Sequence, residues 1–208
     1  MTTEPTKTEL ARVLEAPMND VGIQAALVKS IIERWSAYQW TVQGFGFFRT
    51  KIQGVGRIHV WDDRVATPLV STIHTHPWPF RSTVVSGELL NLRFHEHEVG
   101  ELRYVRQKIK TGEGGGLVDE PSEVLLTHDA VEYYSDGHSY SQEAAEIHRS
   151  IAQPGTVTLI ERPQGPPLEE AMVYWPRGTG WVSAEPKPAE AWELERAVKY
   201  ALARWRLP

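Results

Sequence analysis

The chain contains no cysteine, which excludes disulfides, thiolate nucleophiles and thiolate metal ligands together. Any metal must then be held by His, Asp, Glu or backbone oxygen. The chain also lacks a long apolar run. No stretch approaches the roughly 18 consecutive apolar residues that span a bilayer, and Met1–Leu10 is polar, without an apolar signal core. The expected setting is the cytoplasm, with no membrane partner. Excess positive charge is missing as well. There are 22 Lys and Arg against 27 Asp and Glu, a formal net charge of −5, whereas a general nucleic-acid binder presents a basic face to phosphates. The 208 residues, 41% hydrophobic and 24% charged, suit a folded globular chain.

The texture of the sequence divides it in three: a tail and helix over 1–40, a β-rich body over 41–184 and a helix over 185–208, all within one domain. Asn19-Asp20 offers a helix cap, and Val21, Ala25, Val28, Ile31, Ile32 and Trp35 follow at helical spacing, predicting a helix over 20–37. From Thr41 short apolar runs alternate with Gly, Pro and Asp turns. Strands are expected at Gly44–Phe48, Arg57–Trp61, Leu69–His76, Ser82–Val85, Leu89–His95, Tyr104–Ile109, Glu123–Leu126, His138–Ser141 and Thr156–Ile160, with strand patterning ending near Val182. That density of strands without an intervening helix predicts a mainly β fold, an antiparallel sandwich or barrel. Gly112–Gly116 reads as a loop without the Lys-Ser/Thr ending of a phosphate loop. A Pro-rich link, Glu185–Pro188, leads into a helix over 189–205, with Trp192, Leu194, Ala197, Val198, Ala201 and Trp205 as its apolar stripe.

Eight histidines carry the chemical information. His74 and His76 lie two apart in a strand-like run, so both imidazoles point to one face. Two neutral imidazoles on one face are adjacent ligands for one divalent metal, and a further ligand must come from another strand. Pro77-Trp78-Pro79-Phe80 follows as a stiff apolar corner that would shield such a site, and His148 stands in a matching position much later. His95 and His97, among acids, read as a solvated hairpin end. His138 reads as an edge-of-site candidate, and His59 and His128 as ordinary barrel residues.

These residues resemble the cupin superfamily over about residues 55–162. Its first motif, roughly G-x5-H-x-H-x3-E-x6-G, is matched by His74, His76 and the closing Gly87, with Pro68 at the first glycine and Phe80 at the glutamate. Its second, roughly G-x5-P-x-G-x2-H-x3-N, is matched by Gly137 and His148, with Glu143, Ala145 and Ala152 at the proline, second glycine and asparagine. The resemblance implies a jelly-roll β-barrel with flanking helices and one divalent metal on His74, His76 and His148. Iron(II) comes first, with zinc, manganese or nickel as alternatives. Phe80 cannot bind metal, so the implied ligands are three histidines, as in the thiol-dioxygenase branch.

Glu146 has strand parity with His148 and is a candidate ligand or base; Tyr140 is a candidate proton donor. Phe80, Arg81, Arg93, Tyr133, Arg149 and Trp175 are candidates for the inward wall, where an Arg would hold a substrate carboxylate bidentately. The leading functional expectation is a metal-dependent oxidoreductase, a non-haem iron(II) dioxygenase or oxygenase acting on a small molecule. The alternatives are a non-redox isomerase, lyase or hydrolase using Glu146 or Tyr140, and a non-catalytic small-molecule-binding barrel. A homodimer is a possible assembly, with the helices bearing Trp35, Trp40, Trp192 and Trp205 either covering the barrel or forming its interface.

Overall fold

The computed structural model describes residues 20–99, 102–110, 118–162, 168–179 and 185–206. The expected features at Met1–Leu10, Gly112–Gly116 and Val182 lie outside them. Helix α1, Val21–Glu33, is capped by Asp20, whose carboxylate accepts from the Gly22 and Ile23 amides at 2.9 and 3.2 Å, satisfying donors that a helix start leaves open. A 3₁₀ turn over Trp35–Ala37 completes the segment expected as helix. Helix α2, Ala191–Arg204, buries Leu194, Ala197, Val198 and Ala201 along one stripe.

Among the described residues thirteen strands run between them: β1 Thr41–Val42, β2 Phe45–Ile52, β3 Gly56–Ala66, β4 Ile73–His74, β5 Phe80–Ser86, β6 Glu88–His97, β7 Leu102–Lys110, β8 Ser122–Ser135, β9 Ser139–Gln142, β10 Ile147–Ala152, β11 Val157–Glu161, β12 Glu170–Pro176 and β13 Lys187–Pro188. Every ladder among them is antiparallel. One sheet has the order β13-β1-β2-β3-β11-β5-β9, and β10-β4-β12-β7-β8-β6 close into a barrel. The expected mainly β, antiparallel barrel with two flanking helices is the observed fold.

Strand parity builds two different surfaces on the first sheet. Phe48 and Ile52 of β2, Ile58 and Val60 of β3, Val85 of β5 and Val157 and Leu159 of β11 join Ala25, Val28, Ile31 and Ile32 of α1 and the α2 stripe in one buried cluster. The helices therefore cover the sheet's outer face. Trp40 is buried there and Trp35 and Trp205 pack against it, while Trp192 is exposed. The alternate residues, including Trp61, Phe80, Tyr140 and Ile160, pack on the opposite face with Leu89 of β6.

Several boundaries differ from those expected. Leu69–His76 is a strand only at Ile73–His74, because Val70 N–H bonds back to the Thr67 carbonyl at 3.0 Å and turns the chain after Pro68. Glu123–Leu126 is the start of a much longer strand, β8. Glu185–Pro188 is not a bare link: Lys187 and Pro188 pair with Val42 and Thr41 at the sheet edge, where a proline's missing N–H costs no ladder bond. Strands β1, β10 and β12 match none of the expected strand ranges.

Two glycines of the motifs are required by the backbone. Gly87 has φ +98°, and a Cβ there would lie 2.6 Å from Thr156 Oγ1; Gly137 has φ +82°. Ala145 has φ +66°, the one left-handed non-glycine residue among those described, a conformation costing an L-residue about 1–2 kcal/mol. Replacing Ala145 with Gly relieves that strain at an entropic cost of about 0.5–1 kcal/mol. Ala145→Gly is therefore expected to raise the thermal midpoint by about 1–4 °C, read by calorimetry against Ala144→Gly, which should not raise it.

Candidate metal centre

His74 on β4 and His148 on β10 are direct cross-strand partners, which puts their rings on one side of the ladder with centroids 4.9 Å apart. His76 follows in extended backbone strapped on both sides: Thr75 N–H donates to the Met172 carbonyl at 2.9 Å, and the His76 carbonyl accepts from Ala145 N–H at 3.1 Å. His76 Nε2 then lies 3.1 Å from both His74 Nε2 and His148 Nε2. All three ligand atoms fall within 4.8 Å of one another.

The far ring nitrogens fix the proton positions at two of the three. His74 Nδ1–H donates to the Thr72 carbonyl at 3.1 Å and His148 Nδ1–H to Asn91 Oδ1 at 2.9 Å. Their Nε2 lone pairs are thereby turned toward the shared point. Asn91 is itself buried, its amide donating to Glu132 at 3.1 Å and to Gln142 at 3.4 Å. Glu132 in turn accepts from Arg93 at 3.0 Å. Phe80 packs edge-on against His76 at 4.8 Å, with Trp78 at 4.9 Å and Phe45 stacked on His74 at 6.0 Å. An apolar ring thus occupies the place of the motif's carboxylate.

The two spacings about His76 Nε2 fit a metal shared with either neighbour. At about 2.1 Å per bond and roughly 90–109° between bonds, two ligand nitrogens lie about 3.0–3.4 Å apart. The donor set, three imidazoles and no carboxylate, suits a divalent first-row metal.

Burial lowers the pKa of all three. At His74 it outweighs the opposing bond to Thr72; at His76 and His148 it is joined by repulsion among the rings and from Arg57 and Arg93. Each imidazole is neutral at pH 7 and able to donate its lone pair. His59 is a fourth: burial, then the charges of Arg49 and Arg57, push it down to about 3.

The histidines open on a cavity of about 120 Å³ between the inner face of the first sheet and strands β4, β6 and β10. The structure brings Phe80 and Tyr140 to its wall. It does not bring Arg81, Arg93, Glu146, Tyr133, Arg149 or Trp175 there. Arg81 and Arg149 follow an inward residue by one position, and period two turns them outward; Arg81 donates to Ser139, and Arg149 lines a separate depression with Trp175. Tyr133 is exposed on the barrel's outside. The turn through Ala145 breaks the parity that would have aimed Glu146 at the three histidines, and Glu146 pairs with Arg93 at 2.8 Å. His138 is exposed and bonded to Ser135, and His95, His97 and His128 sit on the surface.

Phe45, Phe47, Arg49, Arg57 and Trp61 line the wall without having been singled out in the sequence, and His59, expected as an ordinary barrel residue, lines it too. The alternation of apolar and polar residues in Phe45–Thr50 and Arg57–Trp61 was the available signal. It fixes two faces per strand but not which face borders a cavity. Tyr140 hydroxyl lies 3.5 Å from Ser150 Oγ, and burial raises its pKa, so it stays protonated at neutral pH.

Compared with known proteins, the chain matches no family model, no curated protein and no solved structure. Fold and site together define a closed antiparallel β-barrel with a three-histidine group able to hold a metal ion.

Removing the Asn91 acceptor frees the His148 ring and its tautomer. Asn91→Ala is expected to weaken binding of zinc(II) or manganese(II) about 10–100-fold, measured by competition with a chelating dye. Acid acts on the same groups. Their folded pKa values lie below the unfolded value near 6.5, so below that pH the unfolded chain binds the extra protons and stability falls. For His59 the loss continues down to about pH 3. Each buried histidine contributes up to about 1.4 kcal/mol per pH unit in its window. The denaturation midpoint of metal-free protein is expected to hold from pH 8 to 7 and drop steeply from pH 6.5 to 4.

Proposed function

We propose that this chain is a cupin-like metalloenzyme, a non-haem iron(II) dioxygenase or oxygenase acting on a small molecule, with His74, His76 and His148 as the protein ligands. The observation that carries the reading is the convergence of three neutral imidazoles, with His76 Nε2 3.1 Å from the Nε2 of each of the other two. The Nε2 lone pairs of His74 and His148 are both turned toward His76, an arrangement that a shared cation would stabilise. The left-handed backbone at Gly87, Gly137 and Ala145 agrees with the glycine positions of the two motifs.

The bound iron(II) would supply redox chemistry toward dioxygen, with open coordination positions left by a neutral three-ligand set. The chain's residues do the rest. Phe45, Phe47, Trp61, Trp78 and Phe80 wall the site with aromatic surface, excluding bulk water from a reactive centre. Asn91, held by Glu132, keeps the His148 ring in one tautomer and orientation. Tyr140, protonated within the cavity, donates a hydrogen bond or a proton to bound substrate. The oxygenase reading is favoured over an isomerase or lyase because the described wall offers no carboxylate base, and Glu146 is committed to Arg93.

Elemental analysis of untagged protein purified without chelators tests this, beside His76→Ala. About one equivalent of a first-row metal in the parent, lost in the variant, is expected, with oxygen consumption by the iron(II) form on a panel of small organic acids and thiols. Absence of metal even after reconstitution with iron(II), manganese, nickel and zinc would overturn the enzyme reading and leave a binding barrel.

A further inference from the structure

The charge balance of the cavity points to its ligand. Among the described residues its wall carries no aspartate or glutamate. It does carry Arg49 of β2 and Arg57 of β3. Arg49 pairs across the ladder with His59, and Arg57 stands two residues before His59, so the two arginines occupy diagonal positions about 7–8 Å apart along neighbouring strands. Neither is ion-paired with a carboxylate among the described residues.

Both guanidiniums are held in place all the same. Arg49 Nε donates to Thr41 Oγ1 at 3.3 Å, and Arg57 lies over the Trp78 ring at 5.1 Å. Burial, and for each a neighbouring arginine, lowers their pKa values, yet a guanidinium stays charged at neutral pH. Two half-buried cations without a counter-ion are costly, and they share the cavity with a site built for a dication. Ordinary surface arginines are solvated; these are stacked, tethered and turned into an aromatic chamber.

We propose that the cavity binds a small oxyanion ligand, a carboxylate or a phosphate, held by Arg49 and Arg57 while a second donor atom of the same molecule reaches the three-histidine centre. The inference rests on the metal-site reading for its second half and on the arginines alone for its first. A cavity of about 120 Å³ holds on the order of ten water-sized groups, which limits the ligand to a few heavy atoms beyond the anionic group. The guanidinium forks match the planar oxygens of a carboxylate bidentately.

Titration calorimetry at low ionic strength tests it with lactate, its uncharged analogue lactamide and inorganic phosphate. Each is titrated into metal-free protein and into protein carrying one equivalent of manganese(II). Lactate or phosphate is expected to bind metal-free protein, lactamide at least tenfold more weakly. Whichever anion binds tighter assigns the source of the oxyanion. Arg49→Gln and Arg57→Gln are each expected to weaken anion binding at least tenfold with circular dichroism unchanged. Arg49→Lys, which keeps the charge, loses less than Arg49→Gln. Manganese binding is expected to survive in the glutamine variants, so loss of metal in the parent would sink the metal-site reading while leaving the anion result standing. Equal affinity for lactate and lactamide, or anion binding unchanged in both glutamine variants, overturns the proposal. Should either glutamine variant fail to fold, the lactate–lactamide contrast in the parent decides it.

Discussion

The structure turns on one electrostatic constraint: three buried imidazoles brought together, with the Nε2 lone pairs of His74 and His148 turned toward His76. Such an arrangement needs the rings to be neutral and the lone pairs to be aimed. Burial secures the first condition by penalising protonation. The bonds from Nδ1 to Thr72 and Asn91 secure the aim by placing the protons on the far side of two rings. Much of the nearby polar architecture follows from this. Asn91 is buried because His148 needs an acceptor, Glu132 is there because the Asn91 amide needs one in turn, and Arg93 neutralises Glu132 while tying down Glu146. The chain of partners runs from the centre of the molecule to its surface, where its net charge is solvated.

The aromatic lining belongs to the same logic. Phe80 at 4.8 Å from His76 places a ring, not a carboxylate, beside the histidines. The described wall carries no negative charge of its own, so a ligand that balances Arg49 and Arg57 must bring that charge with it. Electrostatic demand and ligand choice are in this sense one property.

Much of this was legible in the sequence, and the limits have physical causes. Period two is enough to say that His74 and His76 share a face, and the motif spacing locates His148; both are local statements. Strand density gave an antiparallel sandwich or barrel, and the motif resemblance singled out the barrel. What failed to carry over were parity arguments across irregular backbone. Glu146 and His148 share parity only if the strand runs through both, and the left-handed Ala145 ends that continuity. Arg149 and Arg81 were weighed beside inward neighbours although alternation sends them outward. Conversely Arg49 and Arg57 give no local sign of facing a cavity, and His59 reads as an ordinary barrel residue, because strand alternation assigns residues to two faces without naming them. Only tertiary packing, with α1 and α2 on one side, decides which face is core and which is cavity.

That division of faces has a further meaning. Strands β2, β3, β5 and β11 serve as a partition wall: every second residue anchors the fold against the helices, and the residues between them furnish the chamber. The two sets are interleaved in sequence yet separated in space by the thickness of one sheet. Substitutions in the chamber set can therefore accumulate without loosening the helical buttress, and the buttress can be repacked without refurnishing the chamber. A scaffold of this kind can reshape its chamber by changing a handful of alternate positions, the strands that carry the histidines left as they are.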